Sequence, residues 1–360
     1  MPSPASAPQP TAGSLDRLLV QVVQPGLCVS CGACVGLCPH IIFHDGQMAA
    51  PDACGLEGGR CHDVCPQAPE PGPDAKRGQL LEALGRKLDA PLGPVSGAWW
   101  ARATARDLAG RAQYGGVVST LATLALEEGL VDEMVLTQAG SRGAPEGVRA
   151  RDRQEVLAAA GSVYAGAGSL SALNQALAEP AGHALGLVGL PCQCLAARSM
   201  AAHPAYPQAG RLQLVIGLFC TLNLSARKLR DVLAQAGVNE PVIRADFPPP
   251  PAGVMEVTTR LGTTALPLEQ VYTAVFPGCA LCPDLSAEMA DVSVGAAEGQ
   301  PGWNTLLARS EQGGRLVDLA LSRGLLEIME VPAESWEHLS TAAANKRRRA
   351  QAAQKERSHV

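Results

Sequence analysis

The sequence lacks the positive charge that a binder of nucleic-acid phosphates requires. Its 360 residues carry 29 Lys and Arg against 34 Asp and Glu, a formal net charge of −5, which argues against nucleic acid as a partner. It also lacks an apolar run of membrane-spanning length. The longest uncharged apolar stretches, Leu212–Ala226 and Ala184–Ala197, run about fifteen residues, short of the roughly 20 that a transmembrane helix needs, and the second contains Pro191. The opening residues MPSPASAPQPTAGS have neither a basic start nor an apolar core, so they do not read as a secretory signal. A soluble, cytoplasmic protein without a transmembrane segment is expected. Core material is ample, with 47% hydrophobic residues against 18% charged, and the length suits two domains or one large α/β unit.

Cysteine is what the sequence holds in excess. There are twelve, and seven of them fall between Cys28 and Cys65. An intracellular chain keeps its thiols reduced, so this density points to metal rather than to disulfides. Around this block the chain divides as follows. Residues 1–14 form a Pro, Ala and Ser tract expected to be disordered. Residues 15–78 hold the cysteines and end in a linker, Gln67 to Gly78, before a helix near Gln79–Leu88. A body over residues 95–335 alternates helices (Val117–Glu128, Ser171–Ala178, Ser225–Ala236) with strands (Met134–Thr137, Ala184–Leu190, Leu212–Leu218), which implies an α/β core. Val254–Arg260 and Thr263–Leu268 read as an appended antiparallel hairpin. Residues 336–360 form a basic helical tail whose cations, Lys346 to Arg349 with Lys355 and Arg357, are read as a solvated face or as a docking surface for an acidic partner.

Cys28-x₂-Cys31-x₂-Cys34-x₃-Cys38-Pro39 is the bacterial ferredoxin run. Three closely spaced thiolates wrap one cubane, small residues such as Gly32 and Ala33 let backbone amides approach the sulfurs, and Pro39 turns the fourth cysteine away. A zinc knuckle would use two separated C-x₂-C pairs instead. The second group, Cys54, Cys61 and Cys65-Pro66, is irregular. Cys65 is expected to complete the cluster of Cys28, Cys31 and Cys34, which leaves Cys38, Cys54 and Cys61 as only three thiolates for a second one. Glu57 stands where a further cysteine would be. It is an oxygen-ligand candidate, beside a three-iron cluster, a thiolate borrowed from the body, or a degenerate empty site. Of the remaining cysteines, Cys192 and Cys220 end apolar strands, and Cys279 and Cys282 form a C-x₂-C in a loop. These four either close a further cubane at the crevice of the sheet or include two that are merely small buried residues.

The body resembles the beta subunits of coenzyme F420-reducing hydrogenases and dehydrogenases. The resemblance rests on Gln113-Tyr-Gly115-Gly116, Ala159-Ala-Gly-Ser-Val-Tyr164, Gly189-Leu-Pro-Cys192-Gln193, Gly217-Leu-Phe-Cys220, Gly278-Cys-Ala-Leu-Cys-Pro-Asp284, Ala290-Asp291-Val-Ser-Val-Gly295, and Gly302-Trp303-Asn with Arg309. It implies an α/β fold in which a mixed-sheet flavin-binding body is preceded by a small ferredoxin-like iron–sulfur domain. It also implies FAD, and Cys192, Cys220, Cys279 and Cys282 as ligands of one [4Fe–4S] cluster among two or three in the chain; Cys194 has no counterpart and reads as a buried extra thiol. No G-x-G-x-x-G is present, so the flavin is expected at Gly-rich helix starts. These are Gly115-Gly116 with Gln113 and Gly166-Ala-Gly168-Ser169, with Tyr164 and Gln193 as further contacts. Arg142, Arg149, Arg151 and Arg153 are candidates for the acidic tail of coenzyme F420, or a solvated loop. The function implied is an oxidoreductase passing electrons between a hydride carrier and one-electron acceptors or a redox partner protein. NAD(P)H or reduced ferredoxin with another organic substrate, and a non-enzymatic electron-transfer subunit, are the alternatives. No side-chain acid or base is needed for hydride transfer, so no catalytic residue is assigned.

Overall fold

The computed structural model describes residues 13–56, 59–87, 91–105, 107, 112–140, 144–180, 182–248 and 251–357. Glu57, Arg142 and nearly all of the expected disordered tract therefore lie outside the described residues. Strands are numbered in chain order: β1 Ile42–His44, β2 Gln47–Ala49, β3 Gly97–Ala103, β4 Glu133–Ala139, β5 Pro145–Ala150, β6 Leu185–Gly189, β7 Leu212–Leu218, β8 Arg244–Asp246, β9 Val254–Thr259, β10 Gly262–Pro267, β11 Val292–Ala296, β12 Asn304–Ala308 and β13 Leu326–Met329.

The apolar runs expected as strands make the centre of an eight-stranded sheet, in the order β13-β3-β12-β11-β7-β6-β4-β5. Neighbours among β11, β7, β6 and β4 pair parallel, and the flanking strands pair antiparallel. The sheet is thus mixed. Side chains alternate across it with the period of two that a strand imposes. Leu187 and Val215 face one core with Leu173 and Leu195 from the helices Leu170–Ala178 and Pro191–Ala202. Val188 and Ile216 face the other, with Leu121 and Val317 from the helices Val117–Glu127 and Glu311–Ser322. Val29, Ala33 and Val64 of the cysteine-rich segment join the first core, so that segment packs on the sheet's helical layer.

Two boundaries differ from expectation. The segment read as a linker becomes helix at Pro73, and the helix runs Pro73–Ala83. Pro73 occupies the first turn, where its missing N–H costs nothing; the proline read as a break is a start signal. The appended hairpin, β9 with β10, gains a third strand, β8.

Asp291 and Arg309 hold the sheet to its surroundings. The Asp291 carboxylate accepts from the Val215 N–H at 2.8 Å, Arg198 at 2.7 Å, Arg86 at 3.0 Å and the Ser310 hydroxyl at 2.8 Å. Arg309 is buried and donates to the carbonyls of Leu92, Pro94 and Ser286. Asp291→Ala leaves two largely buried guanidiniums without their carboxylate, and a loss of about 3–5 kcal/mol is expected. It is read as a lower denaturant midpoint at unchanged slope.

Candidate functional site

The loop carrying the first cysteines winds tightly because its backbone turns left-handed at Ser30 (φ 53°), Gly32 (φ 85°) and Gly36 (φ 84°). At Gly32 a side chain is also sterically forbidden, since an added Cβ would lie 2.2 Å from the Gly168 carbonyl oxygen. The loop is pinned from outside. Gly168 N–H donates to the Ser30 carbonyl (3.0 Å), Leu170 N–H to that of Cys31 (3.1 Å), and the Asn174 amide to those of Ala33 and Val35 (2.8 and 2.7 Å). Cys65 is brought to this loop from the second group. Burial pushes the thiols of Cys28, Cys31 and Cys34 up, and the Cys31 and Cys34 thiols are raised further by Cys65 and Cys28. Burial pushes Cys65 up to about 11, with Cys28 adding to the shift.

Cys38, Cys54 and Cys61 pack in or against the small core of Leu15, Leu18 and Val22, as do Cys28, Cys34 and Cys65. Burial raises the Cys61 thiol and Cys38 adds to this, while the Ser14 hydroxyl, 3.2 Å from its sulfur, opposes it. His62 is engaged elsewhere, its Nε2 lying 2.7 Å from Gln21 Oε1.

The body cysteines converge where the parallel strands end. Cys192 follows β6 as the second residue of the helix Pro191–Ala202, Cys220 lies two residues after β7, and Cys279 and Cys282 flank the end of a 3₁₀ turn, Pro277–Leu281. Burial pushes Cys220 up to about 12 and Cys279 up to about 11. Burial also raises Cys192, reinforced by Cys31 and then by Cys282, Cys220 and Cys279. Cys192 and Cys279 pack against the core that contains Cys31, and a cavity lined by Pro66, Gln67, Cys192 and Cys282 lies beside the body group. Cys194, by contrast, is buried and points its thiol at the Gly189 carbonyl, 3.4 Å away.

The donor sets fit iron–sulfur clusters. Among the described residues no three His, Cys, Asp or Glu converge closely enough to hold a single metal ion. A cubane asks for something else, thiolates set around a larger body. Thiols raised by burial, as Cys31, Cys65, Cys192, Cys220 and Cys279 are, are costly as thiolates, and a metal that takes their protons' place relieves that cost.

For the flavin candidates, Gln113 Nε2 donates to the Tyr164 hydroxyl (3.2 Å) and to the Ala245 carbonyl (2.7 Å), and the Tyr114 hydroxyl donates to Asp246 (2.6 Å). Gly115 and Gly116 are buried at the N-terminus of the helix Val117–Glu127, where the first N–H, that of Val117, donates to Asn304 Oδ1 at 3.5 Å. The helices at Ser225, Ser310 and Asp152 are capped. Beyond the Val117 bond, the N–H groups of the first turn have no carbonyl partner within the helix, and a helix start of this kind suits a pyrophosphate. The second Gly-rich start is differently used: Gly166, Gly168 and Leu170 give their N–H groups to Leu224, Ser30 and Cys31. The Ser169 hydroxyl meets Thr137 at 2.5 Å, and the Gln193 side chain accepts from the Leu190 N–H at 2.8 Å. The arginines are spent on carboxylates: Arg149 on Glu133 and Glu179, Arg151 on Glu133, and Arg153 on Asp107.

Two lysines at the site escape a reading by spacing. Lys76 donates to the carbonyls of Asp63 (2.9 Å) and Cys65 (2.8 Å), and Lys346 to that of Cys220 (2.5 Å). The tail is thus neither wholly solvated nor only a docking surface. Its buried stripe is Ala343, Lys346 and Ala350. Arg348, Arg349 and Lys355 remain exposed.

Comparison with known proteins agrees with this geometry. Residues 98–174 match the N-terminal part, and residues 182–334 the C-terminal part, of the coenzyme F420 hydrogenase/dehydrogenase beta subunit. The chain is similar to the coenzyme F420 hydrogenase beta subunit of Methanothermobacter thermautotrophicus, 31% identical over 232 residues, 63% of this chain and 82% of that protein. It is similar over more of its length to a component of the F(420)H(2) dehydrogenase of Methanosarcina mazei, 24% identical over 339 residues and 92% of each chain. A chain in the F420-reducing [NiFe] hydrogenase complex from Methanosarcina barkeri matches with a TM-score of 0.69 at 27% identity, covering 74% of this chain and 94% of that one. The chain belongs to the family of coenzyme F420 hydrogenase/dehydrogenase beta subunits, and is an oxidoreductase of that family.

Proposed function

We propose that this oxidoreductase uses FAD and [4Fe–4S] clusters to pass electrons between a hydride carrier of the coenzyme F420 type and one-electron acceptors, docked to a redox partner protein. When bound, FAD takes or gives an electron pair as hydride and exchanges single electrons with the clusters. The single observation that carries the reading is the contiguity of the three places. Leu224 N–H donates to the Tyr164 carbonyl (3.2 Å), and the next residue back, Asn223, donates its N–H to Cys279 Sγ (3.4 Å). Cys192, in the same group as Cys279, stands beside Cys31.

The chain's own residues have distinct tasks in this scheme. The first-turn N–H groups after Val117 would hold the pyrophosphate, with Gln113 and Tyr164 as further contacts, and Cys192, Cys220, Cys279 and Cys282 would hold the first cluster. Cys28, Cys31, Cys34 and Cys65 hold the second. Cys38, Cys54 and Cys61 would serve a third, completed by Glu57 or by a thiolate from the body, or holding three irons, unless that site is degenerate and empty. A domain of residues 15–78, the body 95–335 and the tail 336–360 are the units of this scheme.

The internal pairing of Arg149, Arg151 and Arg153 favours keeping NAD(P)H as a second donor reading, because those cations are not free for an acidic tail. The test is anaerobic. Reduced coenzyme F420 added to the purified protein is expected to bleach the flavin band and then the broad cluster absorbance. Bleaching by NAD(P)H alone would replace the donor, and a chain without flavin after reconstitution would leave an electron-transfer subunit.

A further inference from the structure

The chain has five lysines. Lys87, Lys228 and Lys355 are exposed. Lys76 and Lys346 are 7% and 5% exposed, and both end on the backbone carbonyl of a cysteine assigned to a cluster, Cys65 and Cys220 respectively. They come from unrelated elements, the helix Pro73–Ala83 and the helix Ala333–Arg357. Among the described residues neither ammonium lies within 4.0 Å of a carboxylate. Asp63 and Asp284 share their fields at longer range. A buried ammonium without a carboxylate partner is costly unless another anion offsets it. Besides those two carboxylates, the groups each one faces are cysteines, Cys65 and Cys31 for Lys76 and Cys282, Cys220 and Cys279 for Lys346. On the cluster reading these are thiolates, and a cluster on four thiolates is anionic and gains a further negative charge when reduced.

We propose that Lys76 and Lys346 are a matched pair of buried cations that raise the reduction potentials of the two neighbouring clusters, each acting on the cluster whose ligand carbonyl it holds. The inference rests on the cluster reading above. Alanine at 343 and 350 lets the tail helix lie close enough for Lys346 to reach Cys220. The same charge on both clusters keeps their potentials in step, so an electron moves between the Cys192 and Cys31 sides without a large step in either direction.

The experiment uses the full chain, reconstituted with iron and sulfide without oxygen, and follows each cluster by electron-spin resonance during a redox titration, with iron counted per chain. Lys346→Gln is expected to move one cluster signal to lower potential and Lys76→Gln another. At fixed potential the reduced-to-oxidised ratio falls about tenfold for loss of one poorly screened charge, a shift of about 59 mV for a one-electron couple. Lys346→Arg and Lys76→Arg keep the charge and are expected to stay near the parent. Full iron with unmoved midpoints in the Gln variants would overturn the proposal, as would equal shifts in Gln and Arg variants. Loss of iron in both would make the lysines structural and overturn it too. A parent chain that takes up no iron would overturn the cluster reading first, and this inference with it.

Discussion

Cys279→Ser is expected to cut one-electron output, measured as viologen reduction by reduced coenzyme F420, to the level of iron-free protein. Bleaching of the flavin by the same donor should fall far less. The asymmetry follows from position. Cys279 sits in the 3₁₀ turn after Phe276 and receives the Asn223 N–H at its sulfur, whereas the flavin candidates Gln113 and Gly116 belong to the start of the helix Val117–Glu127. A serine oxygen is a harder ligand than thiolate and a poorer one for an iron–sulfur cluster. Stopped-flow traces at the flavin and viologen bands separate the two half-reactions, and equal losses in both would refute this assignment of the body cysteines.

Iron removal is expected to unfold the cysteine-rich segment while the sheet survives. The local elements of that segment are short: helices Ser14–Leu18 and Arg60–Asp63 and the three-residue strands β1 and β2. Its own core is a handful of side chains around Leu15, Leu18 and Val22. Elements of this size do not offset their ordering entropy alone, so ligand–metal bonds supply folding free energy directly. After chelation under reducing conditions, hydrogen exchange should rise first in β1, β2 and Arg60–Asp63. The loop at Ser30–Val35, tied to Gly168, Leu170 and Asn174, should open later, and β6 and β7 should stay protected. Uniform exchange across the chain would show that the segment is held by packing instead.

Much of the fold was legible because the buried parallel strands are nearly pure apolar runs. β7 has the bounds expected for it, and β6 and the helix Val117–Glu127 differ by a residue at their ends. The antiparallel flank was not. β3 reads Gly-Ala-Trp-Trp-Ala-Arg-Ala and β5 Pro-Glu-Gly-Val-Arg-Ala; both are mixed in pattern rather than apolar runs, and their register with β12, β13 and β4 makes them strands. The cysteines announced themselves by spacing. The lysines did not, because burying an ammonium is decided by what faces it from another element. The fate of Arg149 and Arg151 likewise depends on Glu133, brought opposite by the β4–β5 pairing.

The tail helix carries one more consequence, for the order in which the protein is made. Lys346 holds Cys220, Arg347 pairs with Glu288, Gln354 reaches the Leu281 carbonyl, and Arg357 donates to the carbonyls of Gln67 and Gln21. All twelve cysteines leave the ribosome before this helix does. The nascent chain thus presents these cysteines before the helix that packs against Cys220, Leu281 and Gln67 has been made. If the cysteines take up iron, delivery before latching is the easier order, because a chain loaded afterwards would first have to release the helix Ala333–Arg357.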